Sequence, residues 1–258
     1  MKYYIIDAFT DELFKGNTAG VCLLEEWPEE AIMQKIAFEN NLSETAFIVK
    51  REDHYGLRWF SPEVEIDLCG HATLASAFVV ANFADRNADV MRFETKSGLL
   101  TVAKTNDIYE MDFPARKPKR IELTAEMNKA IGLPALEAYL SRDLLLLLEN
   151  EGQVQNLTPD FELIKKLPDC FAIIVTAKGE KVDFVSRFFA PGIGVPEDPV
   201  TGSAHATLIP FWAERLAKEK MVAMQLSKRG GTLLCKNCGD RVKLAGKAAL
   251  YLQGEILI

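Results

Sequence analysis

The sequence has no long apolar run, few cysteines and no excess of positive charge. No stretch approaches the roughly 20 apolar residues that a membrane-spanning helix needs, and acidic residues interrupt the first apolar segment. Thirty Lys and Arg against 37 Asp and Glu give a net charge of −7, with no block of five like charges. This balance disfavours nucleic acid and an anionic membrane surface as partners. We therefore expect a cytoplasmic protein that acts on a small molecule.

The sequence also lacks the cysteine pattern of a disulfide framework and the common nucleotide-binding and zinc-binding motifs. Five cysteines, an odd number at irregular spacing, fit reduced thiols better than a disulfide framework. Cys235 and Cys238 have metal-compatible spacing, but no second cysteine pair accompanies them, so a hairpin tip is the favoured interpretation. The chain contains no GxGxxG, GxxxxGK[ST] or HExxH motif. We expect no metal and no cofactor.

What the sequence does contain is an internal repeat. Its 258 residues are 48% hydrophobic, which is typical of a globular protein of one large or two small domains. Three landmarks recur in the same order at offsets of 129, 134 and 132 residues. They are Arg58–Pro62 with Arg187–Pro191, His71–Leu74 with His205–Leu208, and Gly98 with Gly230. The repeat predicts a duplicated unit of about 130 residues.

A charged, proline-bearing stretch at residues 114–120 is typical of a linker between two such units. It divides the chain into an N-terminal half, residues 1–116, and a C-terminal half, residues 117–258. The last strand is left free to pack on the first half.

Within each half, helix and strand patterns alternate. Residues 28–39 predict a helix that begins at Pro28, and short β-branched or aromatic runs predict strands. The stretches after Gly70 and Gly202 are small and apolar nearly all round, which indicates helices enclosed on every side. The predicted fold class is mixed α/β. It has two pseudo-symmetric halves, each a barrel-like curved sheet wrapped round a central helix, which face each other across a cleft.

Glu44 is the first candidate for acid–base chemistry. Strand alternation places it on the same face as Leu42, Ala46 and Ile48. A carboxylate on an apolar face is costly to bury ionised, so it could act as an acid or base near neutral pH. The alternative is a strand-end carboxylate that points into water.

The two helix starts, Gly70-His71-Ala72 and Gly202-Ser203-Ala204, are candidate anion sites. A helix start offers free backbone N–H groups and the positive end of the dipole, and His71 and Ser203 add side-chain donors. Two such ends would hold a carboxylate. The alternative is that the glycines are turn residues and Ser203 is an N-cap.

Two further side chains have competing interpretations. Asp198 precedes the second helix start and is either a catalytic acid or an ordinary cap or loop charge. Cys69, close to His71, raises the possibility of a thiol nucleophile, but small core filler is the favoured interpretation.

At these residues the sequence resembles the PhzF family, the phenazine-biosynthesis-like isomerases, which share the diaminopimelate epimerase fold. The resemblance covers almost the whole chain in the family's order, and Thr18, where relatives often carry proline, is one departure. The segments that carry it are Asp7–Thr10, Phe14–Asn17, Asn41–Phe47, Arg58–Pro62, Asp67–Leu74 and Glu197–His205.

The resemblance also implies roles. The glutamate of NLSETAF, Glu44, would be the acid/base that moves a proton between carbons. His71, Asp198 and Ser203 would complete the polar site, with catalytic roles for His71 and Asp198. The remaining substrate-binding candidates, with Ser203, are Ser43, Gly70, Ala72, Gly202 and Asn17. The related epimerases use two thiols, and no cysteine lies near Asp198 or Ser203, which disfavours that mechanism here.

We therefore expect a cofactor-independent isomerase of the PhzF type. It would shift a proton between carbons of a small unsaturated carboxylate, such as a dihydro-hydroxyanthranilate-like compound. The alternatives are an epimerase or racemase with Glu44 and Asp198 as two carboxylate bases, and a catalytically silent binding or scaffold protein of the same fold. Homodimerisation is left open.

Overall fold

The computed structural model describes residues 1–168 and 170–258, and the chain divides into two compact units. Unit 1 comprises Met1–Asp112 together with Ala245–Ile258, and unit 2 comprises Phe113–Leu244. Within the two described ranges, no helix is both long enough and apolar enough to cross a membrane.

Unit 1 contains two principal helices and most of the strands of the first half, and β8 extends across its boundary. The elements are β1 (Lys2–Ala8), β2 (Asn17–Leu24), α1 (Glu30–Asn40), β3 (Glu44–Lys50), β4 (Tyr55–Phe60), β5 (Glu65–Ile66), α2 (Gly70–Val79), β6 (Val90–Thr95), β7 (Gly98–Thr105) and β8 (Ile108–Pro114).

The strands of unit 1 form a mixed sheet. β1 pairs antiparallel with β2, β2 parallel with β3, β3 antiparallel with β4, and β4 parallel with β6. The chain returns at its C-terminal end, where Ala248–Glu255 pairs antiparallel with β1. The C-terminal strand therefore completes the sheet of the first unit.

Helix α2 is enclosed, as its composition predicts. Nearly all of its residues are buried, and it contacts β1, β2, β3 and the C-terminal strand. Small side chains such as Ala72, Ala75 and Ala77 allow the strands to approach the helix closely on several sides. A single π-helical turn, Val80–Ala84, continues it.

Unit 2 contains the second enclosed helix, and β17 crosses its boundary. The elements are β9 (Lys119–Ile121), α3 (Ala125–Ile131), β10 (Glu137–Leu140), β11 (Leu144–Leu147), α4 (Glu151–Gln155), α5 (Phe161–Ile164), β12 (Ile173–Lys178), β13 (Phe184–Ala190), β14 (Val195–Asp198), α6 (Gly202–Leu216), β15 (Lys220–Gln225), β16 (Gly231–Asn237) and β17 (Arg241–Gly246), followed in unit 1 by β18 (Ala248–Glu255).

Unit 2 repeats the strand pairings of unit 1. β11 pairs parallel with β12, β12 antiparallel with β13, and β13 parallel with β15. Helix α6 is buried from Gly202 to Ala213 apart from Ser203, and it contacts β15 and β16. Its Trp212 donates a hydrogen bond of 2.9 Å from Nε1 to Thr176 Oγ1 and stacks on Phe184. The helix continues on both sides of Pro210.

The structure corrects the alignment of one repeat landmark. The enclosed helices begin at Gly70 and Gly202, an offset of 132 residues, which the positive-φ Gly98 and Gly230 share. The matching HATL tetrapeptides are therefore two positions out of register, and His205 corresponds to Thr73. Both of these side chains bond to the carbonyl of the residue before the helix, Thr201 O and Cys69 O respectively. Ser203, not His205, corresponds to His71.

The hairpin expected around the last two cysteines is present. Cys238 follows β16, and its N–H donates to Arg241 O at 2.9 Å, which closes the turn into β17. Cys235 is buried and Cys238 is exposed. The CxxC spacing therefore reflects a strand end and a turn.

Candidate active site

Four polar side chains of unit 1 lie at one edge of its sheet because of the strand directions. β2 and β3 are parallel, with Ala19 opposite Glu44, so both strands begin at the same edge. Asn17 is the first residue of β2 and Glu44 the first of β3, and helix α2 begins beside them. We call Asn17, Glu44, Cys69 and His71 the acid–base cluster.

The central contact of the cluster is between Glu44 and His71. Nε2 of His71 lies 3.0 Å from Oε2 of Glu44. The Asn17 side-chain amide contacts the other ring nitrogen, with its Nδ2 3.2 Å from Nδ1 of His71. Asn17 thereby fixes the ring so that Nε2 faces the carboxylate. His71 is 5% exposed, whereas the Glu44 side chain keeps 18% of its surface accessible.

Burial and nearby charge act in opposite directions on His71. Burial by itself would lower the pKa of the imidazole, but its contacts with Cys69 and Glu44 outweigh burial and raise the pKa well above its usual value. The Glu44 carboxylate is the partner that we regard as decisive, because Cys69 is itself held as a thiol. The cluster therefore favours the protonated form of the His71 ring.

Cys69 is buried immediately before α2, and its Sγ lies 3.4 Å from Nδ1 of His71. Burial first, and then the Glu44 charge, raise the pKa of the thiol, and contact with His71 only partly offsets this. A thiol with a raised pKa is a weak nucleophile at neutral pH. Burial thus favours a neutral thiol at this position over a thiolate.

The same three side chains form a potential ligand set. One ligand atom from each of Glu44, Cys69 and His71 lies within 4.8 Å of the others, which is a spacing that could hold a metal ion.

In unit 2, the start of α6 is held by Gln225, whose side chain is fully buried. Its Oε1 accepts from Thr201 N at 2.9 Å, and its Nε2 donates to Asp198 O at 2.7 Å and to Thr201 Oγ1 at 3.1 Å. Thr201 Oγ1 in turn donates to Asp198 Oδ2 at 2.5 Å. Asp198 is therefore positioned at the helix start by a defined network. Gln225 lies 24 residues beyond Thr201, and no local sequence pattern marks it as a site residue.

Ser203 contacts a second residue that sequence reasoning missed. Arg142 Nη2 donates to Ser203 Oγ at 3.2 Å and to the carboxylate of Asp143 at 2.9 Å. Asp143 is fully buried, and Arg142 precedes β11. No motif marks this arginine, because its partner in α6 is 61 residues away.

A bidentate arginine–glutamate pair holds the segment that leads to each helix start. Arg58 donates to both carboxylate oxygens of Glu65 at 2.7 Å, and Arg187 donates to those of Glu197 at 2.6 and 3.0 Å. Each glutamate precedes its helix start by five residues. Each arginine also lies over the aromatic ring two residues further along the chain, Phe60 or Phe189. These contacts explain why the arginine and the phenylalanine recur in the segments Arg58–Pro62 and Arg187–Pro191.

The other predicted site residues lie near these clusters in sequence. Ser43 is exposed in the turn before β3. Gly70 and Gly202 are the first residues of α2 and α6, and Ala72 is buried in the first turn of α2. The structure thus brings Glu44, His71 and Asn17 into contact within unit 1, and it gathers Asp198, Gly202 and Ser203 at the helix start of unit 2.

Comparison with known proteins identifies the family to which the chain is similar. The family model described as phenazine biosynthesis-like protein, PhzC-PhzF, matches residues 6–254 of this chain. A Pseudomonas aeruginosa protein named uncharacterized isomerase PA2770 is 47% identical over 99% of this chain and 98% of its own length. A Halalkalibacterium halodurans protein named uncharacterized isomerase BH0283 is 45% identical over 99% and 98%.

The solved structures include a close likeness. The crystal structure of a phenazine biosynthesis PhzF-family protein of Enterococcus faecalis matches with a TM-score of 0.98 and 50% identity, covering 100% of this chain and 99% of that one. This match confirms the predicted fold class.

Proposed function

This chain belongs to the phenazine biosynthesis-like family, PhzC-PhzF, and from that membership we propose that it is a PhzF-type isomerase that moves a proton between carbons. Its substrate would be a small unsaturated carboxylate, of which a dihydro-hydroxyanthranilate is one candidate. No cofactor takes part in the proposed step.

The observation that carries the proposal is the contact of Glu44 Oε2 with His71 Nε2 at 3.0 Å in a largely buried cluster. His71 holds one carboxylate oxygen, which leaves Oε1 to take a proton from a C–H bond next to the unsaturated system. The electron pair of that bond delocalises into the conjugated system, and the protonated Glu44 returns the proton to another carbon. The step is redox-neutral, and the substrate loses no atom.

Desolvation supports this use of Glu44. A carbon acid ionises with difficulty in water, and preplaced donors in a water-poor site lower the barrier. His71 is such a donor, and Asn17 fixes its orientation.

The test compares the wild type with Glu44→Gln in D₂O, using trans-2,3-dihydro-3-hydroxyanthranilate and a panel of small unsaturated carboxylates. Deuterium incorporation at carbon and dienol absorbance are followed. We expect exchange in the wild type and a loss of roughly 10²–10⁴-fold in Glu44→Gln, the usual contribution of a general base.

The matched control is Glu52→Gln, which removes one exposed carboxylate in the same unit and should leave exchange unchanged. A wild type that is inert on the first compound excludes phenazine chemistry. A wild type that is inert on the whole panel excludes the proton shift and favours a catalytically silent binding protein.

An epimerase or racemase is the second candidate, because unit 2 also holds a carboxylate at its helix start. The Asp198 carboxylate accepts a hydrogen bond from Thr201, so Glu44 and Asp198 would be the two bases. Deuterium incorporation at a stereocentre without migration of a double bond would favour this candidate. Exchange that survives in Asp198→Asn would exclude it.

A further inference from the structure

The two units have different polar groups at equivalent positions. Strand register places Phe47 opposite Arg58 and Val175 opposite Arg187. Three residues before these partners lie Glu44 in unit 1 and Ala172, which is buried, in unit 2. Unit 2 therefore has no carboxylate where unit 1 has its proposed base.

The same comparison holds at the second residue of each enclosed helix. In unit 1 this residue is His71, which contacts Asn17 at the start of β2. In unit 2 it is Ser203, which contacts Arg142 just before β11. A histidine–amide pair in one unit thus corresponds to a guanidinium–hydroxyl pair in the other.

A second arginine docks on the same face of α6. The backbone N–H of Arg116 donates to Ala206 O at 2.9 Å, and Ser141 Oγ lies 3.2 Å from Thr207 Oγ1. Positions 203, 206 and 207 share one helix face. Two separate segments, one carrying Arg116 and the other Arg142, are therefore fixed beside the first turns of this helix.

The charges around this face are not fully compensated. Asp143 binds Arg142 through both of its oxygens, and the Asp198 carboxylate accepts from Thr201. Nη1 of Arg116 is buried and has no hydrogen-bond acceptor among residues 1–168 and 170–258. A buried N–H without an acceptor is unfavourable, and more so when the group is charged. An anionic ligand would supply that acceptor.

The hydroxyl and the ring beside Arg142 suit an unsaturated anion. Ser203 Oγ already accepts from Arg142, so its O–H is available to donate. The Arg142 guanidinium carbon lies 4.7 Å from the centroid of Phe171, whose side chain is 45% exposed. A flat apolar ligand that carries a carboxylate could accept hydrogen bonds from Arg142 and Ser203 and pack against the ring of Phe171.

We propose that Arg142 and Arg116, with Ser203, form the anion-recognition site of unit 2 and select substrates that carry a carboxylate. This inference rests on the proposed function for its substrate class, but its binding site is defined by unit 2 alone.

The test measures binding of two fluorescent probes of nearly equal shape, anthranilate and its neutral analogue 2-aminobenzamide, by fluorescence titration. The wild type should bind anthranilate at least 10-fold more tightly than the amide. Arg116→Gln should weaken anthranilate binding about 10-fold or more and leave amide binding unchanged. Arg142→Lys, which keeps the charge beside Asp143, should retain more affinity than Arg142→Gln. Arg51→Gln, an exposed arginine of unit 1, is the charge-matched control.

Each outcome decides. Melting temperatures identify any variant that fails to fold. If the Arg142 variants do not fold, Arg116→Gln still tests the inference, because Nη1 of Arg116 has no hydrogen-bond acceptor to lose among the described residues. Equal affinity of the wild type for both probes, no measurable binding of either, or unchanged anthranilate binding in folded Arg116→Gln would each overturn the inference. Binding without proton exchange on any panel compound would refute the proposed function alone, and Glu44-dependent exchange that accepts amides equally would refute this inference alone.

Discussion

At the scale of single residues, His71 makes the stability of the protein depend on pH. Its pKa is raised in the fold, so its protonation stabilises the native state. That contribution is complete below the unfolded value of about 6.5 and is lost as the pH rises through the higher folded value. The excess free energy of unfolding of the wild type over His71→Asn, measured by urea denaturation, should therefore shrink as the pH rises above about 6.5.

The control for this prediction is Glu44→Gln. Because the Glu44 carboxylate is the charge that we regard as decisive for His71, this variant should flatten the pH dependence. A Glu44→Gln protein with the full wild-type pH dependence would show that another group is responsible.

Cys69 yields a prediction of the opposite kind. Its raised pKa keeps the thiol neutral at pH 7, so its proton is not the one that the reaction transfers. Cys69→Ala should keep exchange activity within about threefold of the wild type, whereas general acid–base groups contribute 10²–10⁴-fold. A loss of 100-fold or more in folded Cys69→Ala, measured by the same deuterium assay, would assign the thiol a direct part in the chemistry.

At the scale of elements, Gln225 ties strand β15 to the start of helix α6. Two of its three hydrogen bonds are buried and the third is partly buried, and Gln225→Leu removes the acceptor of Thr201 N. Gln225→Leu should lower the free energy of unfolding by about 2–4 kcal/mol. The matched Gln253→Ala, on an exposed part of β18, should change it by no more than about 0.5 kcal/mol. Equal effects of the two variants in urea denaturation would remove the argument for the network.

The arginine–glutamate pairs are the second device at this scale. Arg187 binds Glu197 through two nitrogens and donates from Nη1 to Leu157 O at 2.7 Å. A lysine keeps the charge but cannot reproduce this planar fork. Arg187→Lys should cost about 1–3 kcal/mol of unfolding free energy, while Arg51→Lys, on the exposed surface, should be nearly neutral. A neutral Arg187→Lys would mean that the segment before α6 is held by other contacts.

At the scale of the whole molecule, unit 1 depends on the end of the chain. Residues Lys2–Ala8 have β2 on one side and Ala248–Glu255 on the other. Removal of residues 247–258 would expose an edge of β1 and the core beside it, so we expect loss of the cooperative unfolding transition of the protein.

The control truncation removes only Leu257 and Ile258, which are 89% and 76% exposed. It should leave the transition within about 0.5 kcal/mol of the wild type. If the longer truncation unfolds as cooperatively as the full chain, the C-terminal strand is dispensable.

The sequence by itself determined the features that depend on local pattern. Enclosed helices after Gly70 and Gly202 followed from small apolar residues on all sides, and strands followed from short β-branched runs. Motif order identified the family, and Glu44 and His71 could be singled out from their motifs. Side-chain types and their spacing are sufficient for such features, because the periodicity of a helix or strand is a local property.

Only the tertiary structure decided which distant residues meet. Gln225 reaches the start of α6 from 24 residues away and Arg142 from 61, and no local pattern records either contact. The matching HATL tetrapeptides even suggested the wrong equivalence, since His205 lies in the place of Thr73. Strand register and helix starts, rather than letter identity, set which residues are equivalent. The pairing of His71 with Glu44 likewise arises because two parallel strands and a helix begin at one edge of a sheet.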